Sequence, residues 1–71
     1  MEDFIAFIAK VMEVDPLELN EETTFGKYKK WDSVMHMRLV MEVEEEYDVE
    51  IPIDEVPNIK TLKQLFDYAK K

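Results

Sequence analysis

A chain of 71 residues without a cysteine must hold itself together by side-chain packing alone, since neither a disulfide nor a cysteine zinc site is available. A single core of this size is marginal, so the packing has to be efficient. One glycine and three prolines are too few breakers for a many-stranded all-β domain. The apolar residues recur instead at helical spacing. Phe4, Phe7, Ile8, Val11 and Val14 follow i, i+3, i+4, i+7 and predict a helix over 3–14. Asp3 is its expected N-cap and Asp15-Pro16 its stop, because a residue before proline is pushed out of helical angles. Residues 16–31 read as a long loop. Leu17, Leu19, Phe25, Tyr28 and Trp31 within it predict that it packs on the core or carries a short helix of its own.

A second helix is expected from its cap Asp32 to about Tyr47, with His36, Leu39, Val40, Val43 and Tyr47 on the core face. Pro52 and Pro57 forbid one long helix over 48–59, leaving a short helical turn around Ile53–Val56. Thr61 and Gln64 match a capping box for a last helix, whose apolar face is Leu62, Leu65, Phe66 and Ala69. Lys70 and Lys71 suit the negative end of its dipole. The expectation is one all-α domain over 1–71, with three main helices, one short helix and a long first loop.

The formal charge of −8 repels phosphate backbones and disfavours nucleic acid as a partner. It favours proteins with basic patches, met quickly and in a salt-sensitive way. Met1 is followed at once by Glu2 and Asp3, which is not a basic signal-peptide start, and no apolar run is long enough to span a membrane. A cytoplasmic monomer without a membrane partner is expected. Hydrolase chemistry is disfavoured: His36 is the lone histidine, and Ser33 lies in no G-x-S-x-G elbow. The acids of the second helix splay around it without EF-hand spacing, so no dedicated metal site is expected. Gly26 stands alone, so no phosphate-cradling glycine loop exists. The chain reads as something other enzymes act on.

Asp32-Ser33-Val34 alone is an ordinary cap followed by a good first helical residue. Its context is a long loop before it and, after it, eight acids without a Lys or Arg over residues 39–59. With Glu44-Glu45-Glu46-Tyr47 and Ile51-Pro52 following in order, the segment WDSVMHMRLVMEVEEEYDVEIP resembles the second helix and following loop of acyl carrier proteins. The resemblance continues through Thr61, Leu62 and Leu65 and implies an acyl-carrier-type four-helix bundle. It implies that Ser33, beside its motif neighbour Asp32, is esterified by 4′-phosphopantetheine taken from coenzyme A by a phosphopantetheinyl transferase. The arm would then carry an acyl cargo as a thioester to loading and using enzymes. An anionic phosphodiester suits the positive end of a helix.

The sequence departs from the fatty-acid-synthesis type. Val34 stands where that type has Leu, and Met35, His36, Met37 and Arg38 replace acidic or small residues. Lys27, Lys29 and Lys30 make the approach to Ser33 basic. These differences point to a specialised stand-alone carrier for a fatty acyl, hydroxyacyl or amino-acid group. On a helical wheel Val34, Met37 and Met41 lie roughly 140° from the centre of the core face. With Arg38 and Glu44 they are the candidate docking residues. The acid run reads either as a solvated face or as a docking surface for basic enzymes. The rival functions are an aminoacyl carrier, such as a D-alanyl or peptidyl carrier, and an unmodified acidic interaction module.

Overall fold

The apolar period of the first segment becomes α1, Glu2–Met12, in the computed structural model, which describes residues 1–70. Two more helices follow, α2 at Ser33–Tyr47 and α3 at Leu62–Ala69. Single 3-10 turns occupy Pro16–Glu18 and Val56–Asn58. No strand is present among the described residues, so the all-helical acyl-carrier architecture is the observed one; only an isolated bridge joins Thr24 to Thr61.

Phe4 is the hub of the core. It is fully buried and meets Tyr47 of α2 at a ring separation of 5.8 Å and Phe66 of α3, edge-on, at 5.2 Å. Phe7 adds a second edge-on contact to Tyr47. Such aromatic pairs contribute beyond the area they bury. Ile8, Leu39, Val43, Ile59, Leu62 and Leu65 fill the space between the three helices.

Several boundaries differ from those expected. Asp3 is not the N-cap of α1: Met1 occupies that position without a side-chain bond, and Asp3 lies in the first turn, where a carboxylate favours the dipole. α1 stops at Met12 rather than Val14. Glu13 takes left-handed angles, and Val14 N–H turns back to Ala9 O at 3.0 Å. This closure satisfies the last carbonyls before the proline is reached. The helical turn expected at Ile53–Val56 is present, with Glu55 N–H on Pro52 O at 2.9 Å and Val56 N–H on Ile53 O at 3.3 Å, and it runs on into the 3-10 turn at Val56–Asn58. Pro57 sits at its start, where no N–H is needed, and Val56 alone turns inward while Ile53 stays exposed. Leu17, expected to pack, is 92% exposed, whereas Leu19 and Trp31 are buried. The capping box of α3 is fully formed, with Gln64 N–H bonding Thr61 Oγ1 and Gln64 Oε1 accepting from Thr61 N–H. Lys70 is the C-cap of α3 and approaches Asp67 at 3.4 Å; Lys71 lies outside the described residues.

Two tyrosines pin turns to neighbours. Tyr28 OH donates to Glu18 at 3.0 Å, and Tyr68 OH to Glu55 at 3.1 Å. Burial first, and then the facing carboxylate, raises both phenols above the ordinary value of 10.0. The stabilisation these phenols add is therefore present at neutral pH and lost only as pH rises through the raised values.

Candidate functional site

The long first loop fixes where α2 begins. Phe25 N–H bonds Lys60 O at 2.7 Å and Leu62 N–H bonds Thr23 O at 3.2 Å, tying the loop to the start of α3. Gly26 then takes φ +87°, which glycine adopts without strain, and its N–H reaches Trp31 O. Trp31 is fully buried at the end of the loop.

Next in the chain, Asp32 is an extended N-cap, and its Oδ1 accepts from Met35 N–H at 2.9 Å. Ser33 is thus the first residue of α2, exposed at the end where backbone N–H groups lack helical partners. It is the only serine of the chain. The three threonine hydroxyls are all engaged: Thr23 with Asn20 N–H, Thr24 with Glu22 O, and Thr61 with Gln64 N–H. Among the described residues, the Ser33 hydroxyl is the one aliphatic hydroxyl without a hydrogen bond, so it meets a second molecule with both lone pairs and its proton unclaimed.

A feature that sequence reasoning missed lies one turn below. His36 is buried, with its Nδ1 3.0 Å from Trp31 Nε1 and its Nε2 2.9 Å from Val56 O. An indole N–H can only donate and a carbonyl can only accept, so the ring is neutral with its proton on Nε2. Phe25 stacks on the imidazole at 4.4 Å between centroids. Both ring nitrogens are committed, and neither is free to take a proton from Ser33. The available signal was compositional: a Trp and a His at core positions each need a polar partner.

On the outer side of α2, Val34, Met37 and Met41 are 80%, 45% and 63% exposed, and form the off-core stripe that the wheel predicts. Arg38 is exposed beside them and stands 4.0 Å from Glu42. Glu44 is half-buried and turned toward the following loop, where its Oε2 accepts from Ile51 N–H at 2.8 Å. Among the described residues no group of three or more His, Asp or Glu converges as a metal site, and no helix is long and apolar enough to cross a membrane.

A short helical bundle that presents one free serine at a helix start is the architecture of a carrier, and known proteins share it. The family model described as "Phosphopantetheine attachment site" matches residues 2–69. The acyl carrier protein of Thermosynechococcus vestitus (strain NIES-2133 / IAM M-273 / BP-1) is 34% identical over 68 residues, covering 96% of this chain and 84% of that protein. The chain belongs to the acyl carrier protein family, the phosphopantetheine-bearing carriers.

Proposed function

We propose that Ser33 is the attachment point of the 4′-phosphopantetheine arm and that the protein, a carrier and not an enzyme, presents acyl groups to partner enzymes in the cytoplasm. The observation that carries this reading is the unbonded, exposed Ser33 hydroxyl at the start of α2. In the transfer, Ser33 Oγ attacks the coenzyme A phosphorus next to the pantetheine. The Oγ–P bond forms, the P–O bond to the 3′,5′-adenosine bisphosphate breaks, and the serine proton passes to a base of the transferase. The fit is physical: the new phosphodiester is anionic, and the first turn of α2 offers it unpaired N–H groups. Once attached, the arm supplies a thiol that this cysteine-free chain lacks and can hold cargo as a thioester. The tether keeps that cargo at high effective concentration near a docked enzyme. An acyl cargo is favoured over an aminoacyl one by the acyl carrier relative.

Incubation with coenzyme A, magnesium and a broad-specificity phosphopantetheinyl transferase is expected to add one phosphopantetheine mass, located on the peptide that contains Ser33. An unmodified mass with several such transferases refutes the reading.

Docking is assigned to Val34, Met37, Arg38 and Met41, with Glu44 at the edge. Exposed methionines suit a surface that must adapt to several enzymes. The acids of α2 steer partners with basic patches, and Arg38 makes the set of partners narrower. Met37→Ala is expected to lower kcat/KM for modification by roughly tenfold, the equivalent of about 1.4 kcal/mol, while the melting temperature stays close to wild type. Normal kinetics with a large fall in melting temperature would place Met37 in the core instead.

A further inference from the structure

A groove of about 550 Å³ runs beside the start of α2, and its lining includes both chain neighbours of Ser33, Asp32 and Val34. Met12 and Met35 give it apolar wall, and Lys29, Lys30 and Arg38 contribute three cations. The opposing charges in the lining are Glu13 and Asp32. Asp32 is held at the cap by its bond to Met35 N–H. The groove is therefore formally positive by one charge, in a chain whose net charge is −8. Lys29 and Lys30 are exposed and have no ion pair among the described residues, and the contact of Arg38 with Glu42 is long, at 4.0 Å, and solvent-exposed, a geometry worth little.

We propose that this groove binds an oxyanion carried on the Ser33 arm, with Lys29, Lys30 and Arg38 as its cationic contacts. The inference rests on attachment at Ser33. Two groups carry the required chemistry: the phosphodiester of the arm, and a carboxylate at the far end of a carboxyacyl cargo. In a chain with a net charge of −8, this groove beside Ser33 places three cations against two carboxylates, so an added negative charge is compensated there. The apolar wall suits the alkyl portion that joins either anion to the serine.

The test uses four forms of the nitrogen-15-labelled protein: unmodified, carrying the free arm, carrying a butyryl arm and carrying a succinyl arm. Amide shifts of Lys29, Lys30 and Arg38 are compared between them, in wild type and in the triple variant K29Q/K30Q/R38Q, with intact mass reporting attachment. The phosphodiester as ligand predicts that these residues move on attachment of the free arm, and equally in all three modified forms. A cargo carboxylate predicts movement with succinyl alone. Either pattern should collapse in 1 M salt, where the screening length falls to about 3 Å, and in the triple variant. Movement confined to Asp32 and Val34, or movement that the triple variant keeps in full, overturns the groove while leaving attachment intact. An unchanged mass overturns both.

Discussion

Ser33→Ala should abolish attachment of the arm completely and change folding stability by no more than about 0.5 kcal/mol. The two halves of this expectation come from the same geometry. The Ser33 side chain is exposed and makes no hydrogen bond among the described residues, so its loss removes none from the folded state. Alanine is at least as good a helix former at that position. The start of α2 is held by the neighbouring Asp32, whose bond to Met35 N–H does not involve the serine. Among the described residues no other aliphatic hydroxyl is free to substitute, because the three threonines are all bonded. Asp32→Ala is the contrasting variant. It removes the cap, costs about 1 kcal/mol, and loosens the turn that presents the serine, so modification slows without ceasing. Mass spectrometry and thermal melts on the two variants separate these outcomes. Residual single-site modification of Ser33→Ala would move the attachment point to another residue. A large drop in its melting temperature would mean that the serine has a structural role.

Local rules account for what could be read before the structure. The start of α2 was legible because an Asp cap, a helical period and an exposed first residue are all encoded within a few positions. The capping box of α3 was legible for the same reason. The end of α1 was not, because a Schellman-type closure is decided by backbone geometry at Glu13 and Val14, and neither residue carries a compositional signal for it. The turn over residues 53–56 was legible from the bracketing prolines, but its continuation through Val56–Asn58 was not, because the pattern does not say that Pro57 sits within the first positions of a 3-10 turn. Leu17 shows the limit of hydrophobicity in loops: a single exposed Leu is ordinary, and only contacts made elsewhere in the chain decide which loop residue is covered. The least legible feature is the bond from His36 to Val56 O, which spans 20 residues and joins a helix to a turn. It completes the polar pairing of the buried His36 and Trp31, just behind the start of α2.

Trp31→Ala should come close to unfolding the protein. A chain this short has a total stability on the order of 4–10 kcal/mol, and deleting a fully buried tryptophan typically costs about 3–5 kcal/mol through lost burial and the cavity left behind. Here the deletion also strips the Nδ1 of buried His36 of its donor, at 3.0 Å, and removes the ring that Phe25 packs against in the loop that leads to Ser33. The polar part can be separated from the packing part. Trp31→Phe keeps an aromatic ring and loses only the indole N–H and some volume. His36→Leu keeps volume and leaves both the indole N–H and Val56 O unpaired. Each should cost roughly 1–3 kcal/mol, the penalty of an unsatisfied buried polar group. Combined, they should cost less than their sum by about 0.5–3 kcal/mol, since the double variant no longer strands the Trp31–His36 partners. Urea denaturation of the four proteins measures this coupling. Additive losses would mean that the two rings contribute by packing alone. Coupled losses, with slow exchange of the Trp31 indole proton in wild type, would make the pair the joint that holds the loop against α2 and fixes the serine in space.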